Sequence, residues 1–212
     1  MGRIRSVVAL ACIWGVFSWT TAVAGDYINL EWRPLSQAVN IGDPVGLGLY
    51  AVSDDGQNHG FSSAQVFMDW DPSFLQCTGN SVTGAVDLLG SSFIPGDSFG
   101  INESNPPTDG DGIWFGMVAL GQERFATPAG VLLTTVTFTA LAPTAGTPVA
   151  LLPDSSGHPH PPHPTGYTKM LNLQSQSVLG TLGGPATITI LPEPATLSLL
   201  SLAAIALLRR RT

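Results

Sequence analysis

Between Val131 and Ala140 the chain reads Val-Leu-Leu-Thr-Thr-Val-Thr-Phe-Thr-Ala, and this stretch limits the fold more than any other. In an extended strand Leu132, Val136, Phe138 and Ala140 fall on one face, and Thr135, Thr137 and Thr139 on the other. A period of two gives a sheet with one buried and one wet side, and a helix would scatter the same residues around its axis. The spacing recurs in Ile28, Leu30 and Trp32, in Val45, Leu47, Leu49 and Ala51, and in Ala64, Val66, Met68 and Trp70. It returns once more where Thr187 and Thr189 alternate with Ile188 and Ile190. The 24 glycines and 17 prolines of the chain cluster in the intervals. No stretch of 25–190 sustains a helical period with caps. Many short strands joined by such turns predict an all-β chain, folded as one β-sandwich over residues 25–190.

Both ends break this pattern. Arg3 and Arg5 precede an apolar run from Val7 to Phe17, and Ala22-Val23-Ala24 supplies small residues at the spacing of a secretory cleavage site. Residues 1–24 therefore read as a signal peptide cut after Ala24. At the other end, 191–212 holds Pro192-Glu193-Pro194, an apolar run from Ala195 to Leu208, and Arg209-Arg210-Arg211. A helix can start after Pro194 but not extend back through it. Glu193 suits the positive end of that helix dipole, and the arginines suit its negative end. Basic residues after an apolar run also mark the side that stays in the cytoplasm. A helix over 195–208 is roughly 21 Å long, short of the hydrocarbon thickness of about 30 Å. Such a span makes a marginal inner-membrane anchor, suited to a temporary stay.

The order of Pro192-Glu193-Pro194, short apolar helix and arginine cluster resembles the PEP-CTERM sorting signal of bacterial exported proteins. The resemblance covers about a tenth of the chain. It implies recognition by a membrane-embedded exosortase and delivery to the cell surface or extracellular matrix. The alternative is a plain single-pass anchor.

Between the two signals the charges are sparse and one-sided. Arg33, Arg124 and Lys169 face fourteen carboxylates. That sign excludes nucleic acid as a partner. Cys77 is the one cysteine left after removal of the leader, so the domain has no internal disulfide, and the thiol reads as a small buried hydrophobe.

Three pieces of this domain bear a second resemblance. Val39-Asn40-Ile41-Gly42-Asp43-Pro44-Val45 is similar to the opening strands of cohesin-type sandwich modules. Val66-Phe67-Met68-Asp69-Trp70-Asp71-Pro72-Ser73-Phe74-Leu75 is similar to their strand ending in an aromatic-Asp-Pro turn. Gly130 to Leu133, continuing through Val136-Thr137-Phe138-Thr139-Ala140, resembles a later strand of theirs. The resemblance implies a jelly-roll or cohesin-like sandwich. Dockerin binding is not carried over, because these residues are core and turn chemistry.

Candidate chemistry is thin. Gly96-Asp97-Ser98-Phe99-Gly100 satisfies G-x-S-x-G, but the chain runs on to Asn105-Pro106-Pro107, which cannot form the helix a nucleophile elbow requires. A hydrolase using Ser98 is thus the weaker alternative. Asp109-Gly110-Asp111-Gly112 resembles part of a calcium loop, with Asp109 and Asp111 as weak candidate ligands. Its next residues enter the apolar run Ile113–Leu120, read as a strand, so a tight turn fits better. His158, His160 and His163 alternate with prolines, which splay neighbouring side chains apart. A carbohydrate-binding sandwich would need exposed members among Trp32, Trp70 and Trp114 in a flat platform, whereas the alternation puts most of them in the core. No catalytic set, resident metal or cofactor is expected. The chain reads as an exported, non-catalytic surface or matrix protein, adhesive or structural. Its expected partners are an exosortase, the inner membrane, and exopolysaccharide or another surface protein.

Overall fold

The computed structural model describes residues 27–93, 102, 104–154 and 166–193. The leader over 1–24 and the tail helix expected over 195–208 lie outside the described residues, among which no helix is long and apolar enough to cross a membrane. The chain forms β1 (Ile28–Arg33), β2 (Ser36–Asn40), β3 (Pro44–Ser53), β4 (His59–Phe61), β5 (Ser63–Trp70), β6 (Leu75–Ser81) and β7 (Gly90–Phe93). It continues with β8 (Asp111–Met117), β9 (Arg124–Ala126), β10 (Val131–Ala140), β11 (Thr144–Leu152), β12 (Lys169–Leu171), β13 (Leu179–Leu182) and β14 (Ala186–Leu191).

One sheet has the order β13-β1-β3-β10-β6, and the other β2-β14-β11-β5-β8-β7, with β12 also on β5. β4 and β9 form a separate small pair. β11 and β12 share one edge of β5: β11 takes Phe67 to Trp70, and β12 takes Ser63 to Gln65. Most neighbours are antiparallel, but β1 runs parallel to β13 and β2 parallel to β14. The chain passes repeatedly between the two sheets, and at both ends of the domain it crosses from the five-stranded to the seven-stranded one, after β1 and after β13. Tyr27 meets Val178 at one end of the sandwich, through a 3.2 Å bond from its N–H to the Val178 carbonyl. Leu191 pairs with Asn40 at the other. The chain enters at this near end and leaves at the far one.

The alternation sets the core. Ile28, Leu30 and Trp32 of β1, Val45 to Ala51 at every second position of β3, and Val66, Met68 and Trp70 of β5 are all buried in one cluster. Trp70 of one sheet meets Phe138 of the other edge-on, with ring centroids 5.3 Å apart. Each such large side chain contributes about 1.5–3 kcal/mol on burial.

Two expectations need correction. Leu132 is only half-buried, and Leu133 enters the core instead. The register of β10 against β3 shifts between Leu132 and Thr134, and this bulge inserts one residue and reverses the faces upstream. The apolar run from Ile113 stops being strand at Met117. Leu120 sits in the following turn, 92% exposed, where Gln122 donates to the Ala119 carbonyl.

Two local devices hold the far half of the seven-stranded sheet. The buried side chain of Asn102 bonds to the β8 backbone at Ile113, one residue before Trp114, the partner of Phe93 on β7. Its Nδ2 donates to the Ile113 carbonyl and its Oδ1 accepts from the Ile113 N–H, both at 2.9 Å. One amide thus makes the pair of bonds that a strand residue would make. Gly110, at φ +110°, lets the chain turn into β8 while its carbonyl accepts the Trp70 N–H at 2.7 Å. A Cβ there would lie 2.8 Å from the Trp70 carbonyl oxygen. Gly110→Ala is expected to destabilise the domain by about 2 kcal/mol or more, from backbone strain together with the clash. Urea denaturation of the two proteins measures it, and equal midpoints would remove this account of the turn.

Candidate functional site

Three surfaces carry the residues of interest. At the far end, β14 finishes at Leu191, and Leu191, Pro192 and Glu193 are all exposed. Two of the three residues of Pro192-Glu193-Pro194 therefore stand clear of the sandwich. Pro194 and Arg209, Arg210 and Arg211 lie outside the described residues, as do Ala22 and Ala24.

The acidic turn is the second. Asp111 is the first residue of β8 and sits directly across from Asp69 on β5. Both project to the outer face, and Asp111 is fully buried. Like charges placed opposite each other on a sheet oppose folding. Calcium takes six to eight oxygens, and no group of three or more His, Cys, Asp or Glu side chains among the described residues is arranged to hold a metal. Ser98, His158, His160 and His163 lie outside the described residues.

The third is the rest of the seven-stranded sheet's outer face, which divides in two. Phe67 and Ile113 point outward by alternation, yet both are fully buried, with Leu152 packed against them. Gly166 lies so close to the Phe67 ring that a Cβ would collide with it. Thr168 fixes that passage: its Oγ1 donates to the Leu152 carbonyl and accepts from the Phe67 N–H, each within 3.0 Å. The far half of the face is thereby covered. The near half is open. There Phe115, Gln65 and Lys169 form one row across β8, β5 and β12, and Met117, Ser63 and Leu171 form the next. Ser63, Gln65, Phe115, Lys169 and Leu171 line a shallow trough of about 200 Å³. At Ser63 it adjoins a second hollow of about 220 Å³, which runs over the near end between Leu120 and Leu173.

The tryptophans make no platform. Trp32 and Trp114 are fully buried and Trp70 is 5% exposed. The trough residues were not singled out in the sequence. Phe115 is the outward neighbour of a core tryptophan, and Lys169 belongs to a strand of three residues, too short to show a period. The one legible signal was that Lys169 is among only three cations of the domain.

At the near end, Asp55 Oδ1 accepts from the Gln57 N–H at 2.9 Å, from His59 Nε2 at 2.8 Å and from Ser53 Oγ at 3.1 Å. The Gln57 N–H, followed by His59, holds the Asp55 carboxyl below its usual value. Its contribution to stability is present above the ordinary Asp range and is lost as pH falls through the lowered value. Tyr27 stacks on His59 with centroids 4.4 Å apart, tying the first described residue to this turn.

Cys77 is buried and free. Burial pushes its thiol up to about 11, against a smaller opposing effect of the Gly79 N–H. The native state therefore holds the proton that the unfolded chain releases near pH 8.5, so this thiol's share of stability is lost as pH rises from there towards 11. In native protein at pH 8, iodoacetamide is expected to leave Cys77 unmodified, and to label it fully once urea unfolds the chain. Mass spectrometry reads the adduct, and rapid labelling of folded protein would contradict the burial.

No family model matches the sequence, and no curated protein does. Solved structures do match the fold. A cohesin module from a Clostridium perfringens family 33 glycoside hydrolase aligns at TM-score 0.54 and 12% identity, over 79% of this chain and 99% of that one. A chain of a type I cohesin–dockerin complex from Clostridium thermocellum aligns at 0.50 and 11%, over 81% and 98%. A cohesin from Clostridium acetobutylicum, solved in solution, aligns at 0.50 and 12%, over 78% and 92%. At such identities the likeness concerns architecture: the domain is an all-β sandwich resembling cohesin modules.

Proposed function

We propose that this chain is an exported, non-catalytic protein of the cell surface or extracellular matrix, which works by adhesion. Its leader is cut after Ala24. Its tail holds it for a time in the inner membrane, with Arg209–Arg211 in the cytoplasm, while an exosortase-type enzyme reads Pro192-Glu193-Pro194. One observation carries the reading: the last strand ends at Leu191, and Pro192 and Glu193 follow it fully outside the core, at the end opposite to where the chain enters. A processing enzyme can reach a motif so placed without unfolding β14. The adhesive role is supported by the likeness to cohesins, one of which was solved with a dockerin partner.

The test is intact mass and membrane fractionation of the full chain in a host that carries an exosortase, beside Glu193→Ala. The native chain is expected to lose 195–212 or a segment close to it and to leave the inner membrane, while the variant stays embedded at full length. If both keep Arg209–Arg211 and stay in the membrane, the tail is a permanent anchor and the sorting reading falls.

A further inference from the structure

Two of the three lysine and arginine side chains of the domain have a carboxylate partner. Arg33 pairs with Glu31 at 2.6 Å, and Arg124 with Asp87 at 2.8 Å. Among the described residues Lys169 is the one lysine or arginine with no carboxylate beside it, and it is exposed. Its ammonium stands over the trough on the open half of the outer face. The pairing also brings Asp154 across from Tyr167, two residues before Lys169, so the lysine is a single cation in an acidic surround.

The rest of the trough is amphipathic. Phe115 stands two strands from Lys169, about 10 Å away at the usual strand spacing. Between them lies the Gln65 amide, with the Ser63 hydroxyl in the next row. Gln65 Nε2 donates to the Tyr167 carbonyl at 3.0 Å, which fixes the amide and leaves Oε1 as an acceptor. An aromatic side chain, an oriented acceptor, a hydroxyl and a cation in one hollow match a sugar ring that bears a carboxylate. Its C–H face packs on Phe115, its hydroxyls meet Gln65 and Ser63, and its carboxylate meets Lys169. The dimensions also decide between ligand classes. Two rows across three strands offer far less than the ~800 Å² per partner of a standard protein interface. The far half of the face, which would supply the remainder, is covered over Phe67 and Ile113. A slender chain fits, and the adjoining hollow towards Leu120 and Leu173 gives it a direction of travel.

We propose that the trough formed by Phe115, Gln65, Ser63 and Lys169 is a binding site for an acidic polysaccharide in which uronate alternates with uncharged sugar. The site rests on the reading of the chain as a surface or matrix protein and names the matrix component it holds. Sparse ligand charge matters, because a polymer with a carboxylate on every ring would be repelled by the surrounding acidic surface.

Affinity electrophoresis and calorimetry of the full chain with hyaluronan oligosaccharides, against neutral dextran, test this. Hyaluronan is expected to bind and dextran not. Lys169→Gln is expected to weaken binding about tenfold or more, as loss of a charge-assisted bond does. Phe115→Ala should weaken it as well, and Lys169→Arg should keep most of it. Added salt should weaken the native complex more than that of Lys169→Gln. Hyaluronan that fails to bind, or that binds Lys169→Gln and Phe115→Ala as it binds the native chain, overturns the site. So does a partner protein that occupies this face and that hyaluronan cannot displace. The outcome is separable from that of the sorting test. A chain that sheds its tail but ignores hyaluronan removes the sugar site alone. One that binds hyaluronan through Lys169 but keeps its tail removes the sorting reading alone.

Discussion

The sandwich depends on a parallel closure at one edge. β1 and β13 run side by side in the five-stranded sheet, and β2 and β14 in the seven-stranded one. Both ends of the domain are tied into both layers in this way. Within each sheet these pairs join residues about 150 positions apart, as the Thr181 N–H to Asn29 Oδ1 bond at 2.7 Å does. Long-range closure of this kind is entropically costly to form. The apolar faces it brings together, from Trp32 on one side to Trp70 and Ile188 on the other, offset that cost. The same closure decides where the tail begins, because a last strand parallel to the first strands must leave at the end opposite the chain's arrival.

The division of the outer sheet face joins structure to function. Had the face stayed open from Met117 to Asp111, it would offer a broad platform to another protein. The passage through Gly166 and Thr168 covers Phe67 and Ile113, and what remains open is narrow. A cohesin-like architecture therefore need not imply a cohesin's way of binding. Here the exposed chemistry is one cation, one aromatic side chain and an oriented amide.

Much of the core could be read from the sequence, since period two makes a direct statement about faces. Ile28, Leu30, Trp32, Val45, Leu47, Leu49, Val66, Met68, Ile188 and Ile190 all lie where the alternation puts them. Leu132 was misread because a bulge adds a residue without leaving a mark in the pattern. Leu120 was misread because apolar character alone does not distinguish the end of a strand from an exposed turn. The trough was not legible for a different reason. Its row of Phe115, Gln65 and Lys169 exists only through the register of three strands, brought together from positions 65, 115 and 169. Outward-facing residues also carry little pattern of their own. The covering of Phe67 was equally hidden, because an outward position in a wet sheet is expected to be polar, and a buried phenylalanine there reads as an isolated exception.

The most direct measurement is native-state hydrogen exchange, followed residue by residue. If the terminal strands close the fold, amides of Leu30, Trp32, Ile188 and Ile190 exchange only by global unfolding, with the same free energy as Val66 and Met68 at the centre of β5. Exchange of those four through a local opening, well before β5, would show that the edge pairs are peripheral and that the sandwich holds together without them.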